Sequence, residues 1–281
     1  MKQYSNQSGQ VVLITLLVLT IATTVALSLI SRTTTDTTIT AQVEESSRAF
    51  NAAEAGIEEA LISGVGTSGA QVLTPGVSYA VSVASIGNAV GIYEFPKKTL
   101  KGVTETLWLV AHDASGVPVI VPTYTAPSID LCWSSESVIP AMVVTALYKE
   151  SSDNSYRVAK AAFDPDTLRS PPNQFTQTYL PGGCGGNTNT AYKKTITFNA
   201  LSASIDPASD TIIALRIRPA YSDTRFVIDA SATVLPLQGN RIESTGTTAT
   251  GTNRKIVVYQ QYRAPSTMFD AALYSQGTIS K

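Results

Sequence analysis

The chain has 281 residues, a formal net charge of -1 and only 15% charged residues. That share is well below the roughly 25% usual in globular proteins, and it lacks the basic excess of a nucleic-acid binder. A single histidine, His112, argues against histidine-based metal sites and most acid–base catalysis.

Residues 1–9, MKQYSNQSG, form a short polar leader whose one charge is Lys2. Residues 11–30, VVLITLLVLTIATTVALSLI, are uncharged and mostly apolar. About 20 residues at about 1.5 Å each cross the hydrocarbon core of a bilayer, so this stretch reads as a transmembrane segment. A plain anchor fits it, and a signal peptide cut after Ser28 is a further reading. The sequence then continues RTTTDTTITAQVEESSRAFNAAEAGIEEALISG without proline or an early glycine. Ile39, Val43, Phe50, Ala53, Ile57 and Leu61 recur at helical spacing. They predict one apolar face of a helix that stops near Gly64. The helix is therefore expected over residues 10–63, apolar all round in its first half and amphipathic in its second. A rod of this kind suits a filament subunit better than a soluble enzyme.

The leader ending in Gly9, the uncharged helix starting at Gln10 and the segment AFNAAEAGIEEAL at 49–61 together resemble type IV pilin-like proteins. The PilX-type minor pilins are the nearest in pattern, over about the first sixty residues. The resemblance implies cleavage between Gly9 and Gln10 by a prepilin peptidase, insertion in the inner membrane, and assembly with other pilin subunits through the helix. Two positions depart from the family pattern. Gln10 stands where Phe or Met is usual, and Ile14 stands where major pilins carry Glu. That Glu is thought to neutralise a neighbour's terminal ammonium, since an unpaired charge in an apolar core is costly. Similar subunits without it are placed at the filament tip.

From residue 64 onward, Val-, Ile-, Thr- and Tyr-rich runs are broken by Gly, Pro, Asn and Asp, as in strands and turns. Strands are expected at Ser78–Ser85, Gly102–Ala111, Pro118–Tyr124, Ile129–Ser134, Ala141–Lys149, Tyr156–Phe163, Lys194–Leu201, Thr211–Arg218, Arg225–Ala230, Ala232–Leu235 and Lys255–Tyr262. TGTTATGT at 245–252 reads as a polar hairpin or loop, and Met268–Tyr274 as a short helical turn. The fold class expected is α+β: a long N-terminal helix carrying a mainly antiparallel, β-rich head at 64–281. The head forms one unit or two lobes divided by the Pro-, Gly- and Asn-rich loop near 164–189.

Candidate chemistry is sparse. GVGTSG at 64–69 matches G-x-G-x-x-G but follows a helix rather than a strand, so it reads as a linker and not a phosphate cradle. Cys132 and Cys184 pair in an exported chain and stay reduced in the cytosol. Asp153, Asp164 and Asp166 form at most a weak calcium pattern, and Asp and Pro favour turns for local reasons. His112-Asp113 reads as a turn before it reads as a dyad. No cofactor, metal, catalytic site or nucleic-acid partner is expected. The reading is a non-enzymatic pilus or secretion-filament subunit, with its head outside the cytoplasm and on the cell surface after assembly. The alternative is an uncleaved, membrane-anchored extracellular binding domain.

Overall fold

The computed structural model describes residues 8–87, 91–170, 172–177, 180–186, 189–230 and 233–266. Residues 1–7 of the leader and the helical turn expected at 268–274 lie outside that set. One α-helix, α1 (Ser8–Ser63), precedes thirteen strands among the described residues. In chain order these are β1 (Gln71–Thr74), β2 (Val77–Ile86), β3 (Ile92–Glu94), β4 (Glu105–Trp108), β5 (Ser128–Trp133), β6 (Ala141–Lys149) and β7 (Tyr156–Phe163). There follow β8 (Leu180–Pro181), β9 (Tyr192–Thr197), β10 (Thr211–Ala220), β11 (Phe226–Asp229), β12 (Gly239–Thr248) and β13 (Asn253–Gln261). The pairs β1–β2, β4–β10, β6–β10, β6–β7, β3–β11, β5–β11, β5–β9 and β8–β9 are antiparallel, and Phe163 and Thr176 form an isolated parallel bridge. The molecule is thus α+β, a long apolar N-terminal helix with a mainly antiparallel β body.

The chain divides into two compact units, Met1–Val83 with Ile242–Val258, and Ala84–Arg241 with Tyr259–Lys281. In the first, α1 packs on the sheet ordered β1-β2-β12-β13. Ile57, Ala60, Val81 and Ile242 form its core, flanked by Tyr79, Val83, Ile256 and Val258. Gly64 ends the helix. Its N–H donates to the Ala60 carbonyl at 2.8 Å, and its φ of 72° is one that only glycine adopts without strain.

The second unit holds two sheets, β4-β10-β6-β7 and β3-β11-β5-β9-β8, which share one core. Strand alternation explains which side chains enter it. Leu215 and Ile217 of β10, Met142, Val144, Ala146 and Tyr148 of β6, and Ile129, Leu131 and Trp133 of β5 all point inward. A register shift between Ile212 and Ala214 keeps Ile212 in the core although it lies three residues from Leu215. The Trp133 indole N–H is satisfied by the Pro140 carbonyl at 3.0 Å.

Residues 164–189 lie inside this second unit. Their first part is organised by Asp164, which is fully buried. Its carboxylate accepts from Arg169 Nη2 at 2.9 Å and Asn173 Nδ2 at 2.7 Å. The Arg169 guanidinium also lies over the Tyr221 ring, 4.1 Å from its centroid.

Two stretches expected as strands are irregular. Residues 118–124 are not a strand; beyond an isolated bridge, His112 to Pro118, their backbone bonds are scattered, from Val119 N–H to the Ala111 carbonyl at 2.8 Å and from Tyr124 N–H to the Leu109 carbonyl at 3.2 Å. The described residues 233–235 are likewise irregular. TGTTATGT at 245–252 does form a hairpin: β12 runs to Thr248, the chain turns, and β13 starts at Asn253 beside it.

Candidate functional site: the N-terminal helix

Every residue of α1 from Gln10 to Glu44 is exposed. Thirteen large apolar side chains between Val11 and Ile30 are more than half exposed, among them Leu13 at 69%, Leu19 at 66% and Ile14 at 52%. They cover all sides of the helix. Fully burying thirteen such side chains is worth on the order of 20–40 kcal/mol, more than the roughly 5–15 kcal/mol that holds a whole domain folded. Covering this surface with lipid or protein is thus strongly favourable.

The polar groups of the segment are compatible with an apolar partner. Thr15 donates to the Val12 carbonyl at 2.9 Å, Thr20 to Leu17 at 2.8 Å, Thr23 to Leu19 at 2.9 Å and Thr24 to Ile21 at 2.8 Å. Each hydroxyl is satisfied within the helix, so none costs an unmade hydrogen bond outside water. The same back-bonding recurs in Thr33, Thr34, Thr35, Thr37, Thr38 and Thr40. Gly9 and Gln10, the residues of the expected cut, both lie in the first turns of the helix.

The second half of α1 has a different task. Ala49, Ala52, Ala53, Ile57 and Ala60 are buried, together with Gly56. Phe50 and Leu61 are 48% and 43% exposed, and Ile39 and Val43 are more exposed still. The buried stripe thus keeps Ala53 and Ile57 of the predicted face, leaves out Ile39, Val43, Phe50 and Leu61, and adds the small residues Ala49, Ala52, Gly56 and Ala60. Close approach is the reason. A Cβ on Gly246 of β12 would collide with the Ala49 carbonyl oxygen and come within 2.7 Å of the Ala53 nitrogen. A Cβ on Gly56 would strike Ser244 Oγ and stand 2.8 Å from side-chain atoms of both Tyr79 and Val81. Polar clasps flank this seam. The Tyr79 hydroxyl donates to Glu59 at 2.6 Å, Thr250 to Glu45 at 2.7 Å and Arg254 Nε to Ser46 Oγ at 2.7 Å. The Thr250 hydroxyl leads the causes that hold the Glu45 carboxyl below its usual range, while donation to Glu59 pushes the Tyr79 phenol up.

The other residues singled out by sequence are spread apart. Cys132 of β5 and Cys184, in a short 3-10 turn after β8, are joined by a disulfide with Cα atoms 5.9 Å apart. The bridge is buried with Val227 on the side of the sheet facing away from the main core. In the G-x-G-x-x-G segment, the Thr67 N–H donates to the Val81 carbonyl at 2.9 Å and the Val81 N–H to Thr67 Oγ1 at 2.9 Å, so the segment lies along β2. Asp113 accepts from the Ser115 and Val117 amides at 2.8 and 3.0 Å, the bonds of a turn. His112 instead stacks on Tyr262, with ring centroids 3.8 Å apart, and meets the Trp108 ring edge-on at 4.7 Å. Both of its ring nitrogens are buried without a hydrogen-bond partner among the described residues. Burial pushes its pKa down. Asp153 is held by Ser155 and Arg157 with its pKa down to about 2, and Asp164 by Arg169 and Asn173. No cluster of three or more His, Cys, Asp or Glu suited to a metal occurs among the described residues.

The class of protein defined by these features is an α+β chain with an exposed apolar N-terminal helix long enough to cross a membrane by length and composition. Comparison with protein-family models, curated proteins and solved structures gives no match.

Proposed function

We propose that this chain is a minor pilin-like structural subunit of a type IV pilus or related secretion filament, which it initiates or caps. Residues 11–30 hold it in the inner membrane with the β body outside the cytoplasm. A prepilin peptidase cuts between Gly9 and Gln10. The helix then leaves the bilayer and packs among the helices of other subunits. Its role is structural rather than enzymatic. The observation that carries this reading is the exposed, uncharged helix surface at residues 10–31, which continues unbroken into a helical segment bound to a folded sheet. Ile14 supports a place at the tip, because a subunit without a carboxylate there cannot neutralise the buried terminal amine of another.

The uncleaved anchored binding domain is a second reading, favoured by one observation. The Ala-rich segment that carries the pilin resemblance is already occupied by the chain's own sheet, through Ala49, Ala53 and Gly56. Immunogold labelling of sheared filaments separates the two. A few labels per filament, confined to ends, are expected; label retained wholly in the membrane fraction would favour the anchored domain. Replacing Ile14 with Glu should leave membrane insertion intact, since a carboxylate near a helix end reaches the interface. It should also raise the number of labels along the shaft.

A further inference from the structure

Among the described residues, His112 is the one titratable side chain whose polar atoms are buried without any hydrogen-bond partner. It lies in a stack of three rings, edge-on to Trp108 and face to face with Tyr262, all within the second unit. Two of the three are firmly seated. The backbone around His112 is pinned where the Asp113 N–H donates to the Val117 carbonyl at 2.9 Å and the Val119 N–H to the Ala111 carbonyl at 2.8 Å. Gln238 fixes Trp108, accepting from its amide at 2.9 Å and donating to its carbonyl at 2.8 Å. Tyr262, just past the end of β13, is held less firmly. Its N–H reaches the Gln238 carbonyl only at 3.4 Å, a long bond. The next anchors are the Pro265 and Ser266 carbonyls, which accept from Arg216. Between these points, the contact of the Tyr262 ring with His112 seats the segment.

A neutral imidazole occupies this slot at the cost of one donor and one acceptor left unmade. An imidazolium fits worse, because it brings a charge and two N–H donors to a place that offers no acceptor. The titratable groups facing it are few. Asp113, on its own segment, already accepts from the Ser115 and Val117 amides. The Tyr262 phenol, pushed up by burial, stays neutral in acid. Trp108, Gly116 and Pro118 bring no charge. Burial outweighs the Asp113 carboxylate and pushes the imidazole down. A ring nitrogen sealed from water takes up a proton only when the slot opens, so proton uptake and opening are one event. The least costly opening moves Tyr262, since the backbone at Trp108 and around His112 is pinned.

We propose that the stack of Trp108, His112 and Tyr262 is a pH-operated clasp: proton uptake by His112 releases Tyr262 and loosens residues 262–264 while the core of the second unit stays folded. The clasp is independent of the N-terminal helix and of any assembly role. The test uses the full chain in detergent with isotope-labelled histidine, whose single residue gives one set of ring resonances. At about pH 7.5 they should carry the ring-current shift of the two neighbouring rings. On acidification they should titrate below the ordinary value near 6.5 and move to the position of an exposed imidazolium. Hydrogen exchange, corrected for the intrinsic effect of pH, should show protection of residues 262–264 falling about threefold or more between about pH 7.5 and about pH 5, with β6 unchanged. His112→Phe keeps a ring in the stack without a titrating nitrogen and should hold that protection at both values. If this variant melts below the wild type by circular dichroism, the wild-type resonances decide. A protonated ring that keeps its ring-current shift, a loss of protection shared equally by β6, or the same loss in a stable His112→Phe would overturn the proposal.

Discussion

His112 is the one imidazole in the chain, with an ordinary pKa near neutrality, and its burial in an aromatic stack makes stability depend on pH. Burial lowers its folded pKa, so the unfolded chain takes up the proton first as pH falls. Its contribution is complete above the ordinary value near 6.5 and declines as pH drops below it. Thermal melting of the wild type should show such a decline. His112→Phe keeps a ring against Tyr262 and Trp108 without a titrating nitrogen, so its profile should be flatter through that window. An identical slope in the two proteins would remove His112 from the explanation. Gly246 tests the helix seam in the same way. Gly246→Ala forces a methyl group toward the Ala49 carbonyl, and overpacking of this kind costs about 1–3 kcal/mol. Amide exchange in residues 49–60 should accelerate in this variant, while exchange in the core of the second unit stays as in wild type.

Among the elements, those with strong alternation could be read from sequence with little error. Ala141–Lys149 and Tyr156–Phe163 run as β6 and β7 over the residues expected, because their apolar side chains line a large core. β12 could not be read as a strand. Its buried positions Ser244, Gly246 and Thr248 are small or polar, since the helix lies too close for larger groups. The face of α1 could be read only in part, for the same reason. Periodicity finds Ala53 and Ile57 but also weights Phe50 and Leu61, whereas a glycine-bearing strand selects Ala49 and Ala52 in their place. The disulfide links elements that no secondary-structure pattern connects. It closes a loop over a separation of 52 residues, which the chain-entropy model values at about 4 kcal/mol. Replacing Cys132 and Cys184 together with Ser should lower unfolding stability by that order in urea titrations. A loss below about 1 kcal/mol would show that the bridge merely ornaments an already fixed turn.

For the molecule as a whole, a folded β body follows a helix whose apolar half stays exposed among the described residues. In the function proposed above, a bilayer and then other helices cover that surface in turn. The step between them is removal of the leader, which trades Lys2 and its polar neighbours for a new terminus at Gln10. Gly9→Val should block that step while leaving membrane insertion unchanged, because it does not reduce the hydrophobicity of the segment.

The measurement that bears most directly on this account is the N-terminal sequence of the chain produced together with a prepilin peptidase. A mature protein beginning at Gln10 in wild type, and an intact leader in Gly9→Val, are the results predicted. A wild-type chain that keeps Met1, or one that begins at Leu29 after signal-peptide cleavage, would contradict the pilin-like assignment.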